Sequence, residues 1–271
     1  MNALSLPKRV TLELTNRCNR ACPECPRHKM RYSIGDMPLS IFTRIIDQLP
    51  DDTTIVPFFR GESLVHPQFA DAMHQLHRFS TVQLATNGDA LNASNINAII
   101  ASCSFVSLSL HDFGLNHDAT EWLMAAENAG VTTQVSILAT QIPNGQKHIF
   151  IDTWLQWVNR VRIYVEHSHR GFGDTALNLK CLDQPCPKPF EEMAVYWDGK
   201  AALCNHDWDN GYPLGDLTMQ TVEHVWHSHA YEDVRNLHND GGRCRIDACK
   251  ACDYWMVPQL PNHMFGELYT N

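Results

Sequence analysis

The sequence predicts an α/β fold, a partial (β/α)6 barrel, and three observations point to it. Strand-like and helix-like runs alternate six times over the first two-thirds of the chain, the pattern of a parallel sheet with crossover helices. Six units are too few for a closed eight-fold barrel. Several strands also alternate apolar and polar residues, whereas parallel strands buried on both faces read as continuous apolar runs.

The predicted strands are Val10–Leu14, Thr54–Phe59, Val82–Ala85, Phe105–Leu110, Gln134–Ala139 and Val161–Glu166. Between them, apolar residues recur at a helical period. These runs predict helices at Leu39–Leu49, with Ile41, Ile45 and Leu49 on one face, and at Gln68–Phe79, Ala93–Ile100, Asp118–Ala129 and Lys147–Val158. Side chains alternate faces along a strand. In the first strand Val10, Leu12 and Leu14 oppose Thr11, Glu13 and Thr15; in the fourth Val106, Leu108 and Leu110 oppose Ser107, Ser109 and His111. The fifth sets Val135 and Ile137 against Gln134 and Ser136, and the sixth sets Val161, Ile163 and Val165 against Arg162, Tyr164 and Glu166. The apolar sets should meet the helices, and the polar sets should line an open interior able to hold a polar ligand.

Alternation stops near Arg170, where Gly171-Phe172-Gly173-Asp174 reads as a linker, so residues 1–175 and 176–271 are expected to be two units. The second predicts a hairpin over Met193–Cys204, turning at Asp198-Gly199, and helices at Thr221–His227 and Ala230–Leu237. A hydrophobic fraction of 44% suffices for a core, and a net charge of −9 without a basic block argues against a nucleic-acid or anionic-membrane partner. No apolar leader or membrane-length run is present, so a cytoplasmic setting is expected. In that compartment ten cysteines predict metal or redox use rather than disulfides.

Nine of those cysteines fall into two stretches. Cys18, Cys22 and Cys25 follow the first strand with the spacing C-x3-C-x2-C. Three thiolates can hold three corners of a 4Fe–4S cubane and leave one iron open to another ligand. Cys181, Cys186, Cys204, Cys244, Cys249 and Cys252 lie in the tail, the last two as a C-x2-C pair. Four-thiolate sites with such a pair also bind zinc, and a zinc knuckle is the alternative for the first stretch. Cys103 reads as buried packing.

The first cysteine set, placed after an N-terminal strand, resembles the radical S-adenosylmethionine (SAM) superfamily. That resemblance implies a barrel of this kind, a cluster on Cys18, Cys22 and Cys25 whose open iron is chelated by SAM, and a 5′-deoxyadenosyl radical that abstracts hydrogen from substrate. It also implies a flavodoxin-type or other reductase as electron donor. Arg60-Gly61-Glu62, after the second strand, stands where the family has Gly-Gly-Glu, and assigns Gly61 and Glu62 to SAM. Thr86 and Asn87 of Thr86-Asn87-Gly88, after the third strand, and Ser109, ending the fourth, are implied as further SAM contacts. Two positions depart from the family: Glu24 precedes the third cysteine and Arg60 replaces the first glycine.

The tail resembles the SPASM/twitch extension of the same superfamily through Cys186-x12-Gly199-x4-Cys204. Its intervals resemble those of small twitch dehydrogenases of aminoglycoside biosynthesis. The resemblance implies one auxiliary 4Fe–4S cluster on Cys186, Cys204, Cys249 and Cys252, able to accept an electron from a substrate radical; Cys181 and Cys244 are left over, and either could replace one of the four. The expected reaction is SAM-dependent two-electron oxidation of a small polar metabolite such as a sugar or cyclitol. His111, Gln134, Arg162, Tyr164 and Glu166 are the candidate substrate contacts, with Arg162 and Glu166 equally able to pair with each other. Peptide modification and radical epimerisation, with Cys181 or Cys244 as hydrogen donor, are the alternatives, and a non-catalytic zinc or electron-transfer protein is a third. Only seventeen residues precede Cys18, so no peptide-recognition domain is expected on that side.

Overall fold

The computed structural model describes residues 6–23, 25–114, 117–165, 185–250, 252 and 266–271. The expected six repeats are present. Strands β1 (Arg9–Leu12), β2 (Thr54–Val56), β3 (Thr81–Thr86), β4 (Phe105–Ser109), β5 (Thr132–Leu138) and β6 (Arg160–Tyr164) pair in parallel in chain order. Helices α1 (Leu39–Ile46), α2 (Phe69–His74), α3 (Ala93–Ser102), α4 (His117–Asn128) and α5 (Lys147–Trp154) connect them. The Asn92 side chain accepts from the Asn95 amide and caps α3. Helix α1 buries Phe42, Ile45 and Ile46 rather than a face led by Ile41, because Phe42 offers the larger apolar surface to the sheet.

The apolar sets meet the helices as expected: Val10, Leu12, Val106, Val135 and Val161 have no exposure. The polar sets face one shared space. Arg9 of β1, Gln83 of β3, Ser107 of β4, Gln134 of β5 and Arg162 of β6 line a single cavity of about 350 Å³. Only a sheet curled around its polar face can bring those five strands to one cavity, so the partial barrel is present.

Two features extend this sheet. The tail's hairpin, β7 (Glu192–Val195) and β8 (Lys200–Ala202), turns at Asp198-Gly199 as expected, with Gly199 at φ +83° where a side chain would be strained. Strand β7 pairs in parallel with β1, from Arg9 opposite Glu192 to Leu12 opposite Val195, and β9 (Gly215–Asp216) adds to β8. Short helices α6 (Lys188–Glu191), α7 (Val222–Trp226), α8 (His229–Asn239) and α9 (Asp247–Lys250) complete the described tail. At the other edge β10 (Gly266–Thr270) pairs antiparallel with β6, a strand the sequence pattern does not announce. The ten described strands therefore form one sheet that runs from tail to barrel and back to tail. The linker expected at 171–174 lies outside the described residues. No described helix is long and apolar enough to cross a membrane.

Candidate functional site

The loop after β1 is held by its neighbours before it reaches the first cysteine. Thr15 Oγ1 donates to Asp36 Oδ1 at 2.7 Å, and Asn16 Nδ2 donates to the Ser33 carbonyl at 2.7 Å. Gly61 presses against the same loop. A Cβ built there would lie 2.4 Å from both the Thr15 and Arg17 carbonyl oxygens, so no other residue fits. The adjacent Glu62 amide donates to the Arg17 carbonyl at 2.8 Å. The second strand's loop thus sets the start of the C-x3-C-x2-C loop through backbone contact. Gly61→Ala is expected to force the two loops apart, destabilising the fold by roughly 2–3 kcal/mol and lowering the iron bound at the first cysteine set. Urea unfolding and iron content of the variant check this, and full iron loading at wild-type stability would show that the contact is dispensable.

Glu62 is expected to hold SAM, and the structure shows that its carboxylate already organises the site. Its Oε1 accepts from Thr86 Oγ1 at 2.8 Å and the Leu64 amide at 3.1 Å, and its Oε2 accepts from the Asn87 amide at 2.8 Å. Burial raises its pKa, and these donors act against that rise. Thr86 and Asn87 are therefore fixed by Glu62, and the Thr86-Asn87-Gly88 run is more than a simple turn. Asn87 Nδ2 donates to Asn19 Oδ1 at 2.9 Å and lies 3.9 Å from Cys18 Sγ. His111, beyond the end of β4, places Nδ1 3.7 Å from Cys22 Sγ. Arg20 pairs with Asp89 across the same region. Cys18, Cys22 and Cys25 are all partly exposed, and none is in a disulfide.

These residues open onto a cavity of about 410 Å³ lined by Arg20, Asn87, Asp89, Ser109, His111 and Trp122, among others. It lies at the carboxyl ends of β3 and β4, the place where ligands bind in parallel α/β folds. Ser109 lines both this cavity and the barrel interior. Arg162 stacks over the Tyr164 ring at 5.3 Å. Its suggested partner Glu166 lies outside the described residues, as do Glu24 and Cys181.

Arg60, the departure from Gly-Gly-Glu, is the residue that sequence reasoning placed but did not explain. Its side chain is fully buried, and so is that of Glu13. Nε donates to Glu13 Oε1 at 2.6 Å and Nη2 to Oε2 at 2.5 Å, while Nη1 donates to the Trp208 carbonyl. The guanidinium carbon sits 4.1 Å from the Tyr196 ring centre and 4.6 Å from that of Tyr32. Arg60 therefore ties the Gly61–Glu62 loop to the tail segment that follows Cys204. A charged inward residue on β1 followed by an arginine in a glycine position was the available signal.

In the tail, Cys186, Cys204, Cys249 and Cys252 converge as expected on one small enclosed cavity, joined there by Lys188, His206, His238 and Arg243. His238 Nδ1 accepts from the Cys186 amide at 3.1 Å, and its Nε2 lies 3.7 Å from Cys249 Sγ. Desolvation and the nearby Arg243 charge push the His238 pKa down to about 4, keeping the ring neutral. Desolvation, Cys252 and Cys249 together push the Cys204 thiol well up. Four converging thiols raise one another in this way unless a metal neutralises them, so the donor set fits a thiolate-held metal group.

One expectation is corrected here. Cys244 is disulfide-bonded, against the expectation that this chain has no disulfides. A sulfur in that state has no S–H bond, so Cys244 could serve as a hydrogen donor only after reduction. Cys103 is buried as expected, its thiol pushed up to about 12 by desolvation.

Residues 186–253 match the family model described as SPASM, an iron–sulfur cluster-binding domain. The chain is 20% identical to the S-adenosyl-L-methionine-dependent 2-deoxy-scyllo-inosamine dehydrogenase of Niallia circulans, over 90% of this chain and 92% of that protein. The crystal structure of BtrN in complex with AdoMet and 2-DOIA superposes with a TM-score of 0.66 at 20% identity, covering 92% of this chain and 94% of that one. Streptococcus suis SuiB bound to precursor peptide SuiA superposes with a TM-score of 0.71 at 13% identity, covering 96% of this chain and 74% of SuiB.

Proposed function

We propose that this radical SAM enzyme, whose residues 186–253 match the SPASM iron–sulfur domain, oxidises an alcohol carbon of a small polar metabolite, a sugar or cyclitol, to a ketone. The observation that carries the reading is the second cysteine set. Cys186, Cys204, Cys249 and Cys252 ring one cavity, so a cluster held there would have no open iron and would serve electron transfer rather than substrate binding. The full-length similarity to a SAM-dependent dehydrogenase supports the same reading.

Cys18, Cys22 and Cys25 would hold the first cluster, and Gly61, Glu62, Thr86, Asn87 and Ser109 would form the SAM site. When bound, the two clusters and SAM supply a one-electron reagent that abstracts hydrogen, with a flavodoxin-type donor as the source of the electron, and a sink for the electron the substrate gives up. The chain's own residues do the positioning. Glu62 fixes the Thr86–Asn87 corner, Asn87 carries its amide toward Cys18, and His111 faces Cys22 rather than the interior. Leu91, Leu108 and Trp122 supply the apolar part of the same cavity. Ser109 marks where that cavity meets the barrel interior, so the oxidised carbon is placed beside it. Division into units 1–175 and 176–271, in the cytoplasm, belongs to this reading; β7 and β10 lock the two units into one sheet.

The test is an anaerobic incubation of reconstituted protein with SAM and candidate polyols in heavy water. An oxidation gives a product lighter by two hydrogens with no solvent deuterium on carbon, and Cys204→Ala keeps 5′-deoxyadenosine release while losing that product. Solvent deuterium on carbon would instead show epimerisation, and a modified peptide as the sole product would overturn the metabolite reading.

A further inference from the structure

The barrel interior has a charge of its own, opposite to that of the protein. The chain carries a net charge of −9, yet the cavity of about 350 Å³ inside the sheet is lined by two arginines and no acidic residue among those described. Arg9 reaches in from β1 and donates from Nη1 to the neutral Gln83 Oε1 at 2.8 Å. Arg162 reaches in from β6, and its recorded contact is the Tyr164 ring. Neither makes an ion pair among the described residues. Both are half-buried. An unpaired, partly desolvated guanidinium is costly, and a carboxylate or phosphate is the group it matches best.

Between the arginines, beside the apolar Phe58, Leu84, Phe105 and Leu268, the polar part of the lining is neutral and hydrogen-bonding. Gln134 Nε2 donates to Ser107 Oγ at 3.0 Å, and Ser107 Oγ lies 3.3 Å from Ser136 Oγ. Side-chain amides and hydroxyls of this kind both donate and accept, so they suit the hydroxyls of a polyol. The volume fits a molecule of sugar size.

We infer that the substrate is an acidic polyol, a sugar acid or sugar phosphate, whose anionic group is held by Arg9 and Arg162 while its hydroxyls meet Ser107, Gln134 and Ser136. This rests on the metabolite-oxidation reading and narrows it. It also separates this chain from the inosamine dehydrogenase it resembles, because an amine would meet two like charges here.

The experiment is isothermal titration of the anaerobic, SAM-loaded protein with four probes of one size: D-gluconate, D-glucose 6-phosphate, sorbitol and glucosamine. At least one acidic probe is expected to bind about tenfold or more tighter than sorbitol, the factor one charge-assisted hydrogen bond supplies, with glucosamine the weakest. Whichever acid is preferred identifies carboxylate or phosphate as the group recognised. Added salt should erode the preference. Arg162→Gln should cut it by about tenfold and leave sorbitol affinity and the melting temperature unchanged. Equal or better binding of sorbitol or glucosamine, no binding by either acid, or an unchanged preference in Arg162→Gln would overturn the inference. Release of 5′-deoxyadenosine is scored separately: its absence would sink the oxidation reading and leave an anion site standing.

Discussion

Replacing Cys18, Cys22 and Cys25 together by alanine should bring 5′-deoxyadenosine release to background and cut bound iron from about eight to about four per chain. The stability of the folded chain should hardly change. All three thiols are partly exposed and none belongs to the hydrophobic core, so their loss creates no cavity and costs less than about 1 kcal/mol in the metal-free protein. A purely structural role predicts the reverse, a loss of stability with activity following from it. The loop that carries these cysteines is positioned from outside, by Gly61 and by Asn16, Thr15 and Asp36, and should keep its course. Iron analysis, product chromatography and urea unfolding of the triple variant give the three readouts. SAM cleavage that survives in it would refute the assignment of the first cluster.

Arg60→Met should be the most destabilising single change in the barrel. Removing one partner of a buried ion pair costs about 3–5 kcal/mol, because Glu13 would remain buried with only two backbone amides, those of Trp197 at 3.2 Å and of position 60, to satisfy it. For a chain of this size that is a fall in melting temperature of roughly 10 °C. Adding Glu13→Gln should recover a large part of the loss, since the uncompensated charge is then gone. The effect should also reach the tail. Arg60 donates to the Trp208 carbonyl and lies over Tyr196, whose hydroxyl accepts from the Asn210 amide at 3.0 Å. These contacts hold the segment just beyond Cys204, so the electron-spin signal of the auxiliary cluster should broaden in Arg60→Met and sharpen again in the double variant. A loss of under 1 kcal/mol, or a double variant as unstable as the sum of both singles, would show that the pair is not coupled.

The first cysteine set, the alternation of units and the polar inward faces were legible because each is a local pattern. Spacing of three or four residues, a period of two along a strand and a period near 3.6 along a helix are all written in consecutive residues. The four tail cysteines were legible through a family resemblance, and they do converge. Arg60 was visible only as a missing glycine, because its meaning depends on Glu13, Trp208 and Tyr196, which are distant in the chain. Glu62 was given a ligand, while its oxygens had nearer donors in Leu64, Thr86 and Asn87. Cys244 was counted as a thiol because cysteine spacing carries no information about pairing across the fold.

By itself the sequence determined the fold class, the two groups of cysteines and the polarity of the barrel interior. Tertiary structure alone decided that β7 joins β1 across 183 positions and that β10 closes on β6. It also decided that Arg60 bridges barrel and tail, and that Arg9 and Arg162 share one cavity. The physical reason is that periodicity reports which face a side chain takes. Which other faces it meets is set by hydrogen-bonded register and packing between segments that no local pattern connects.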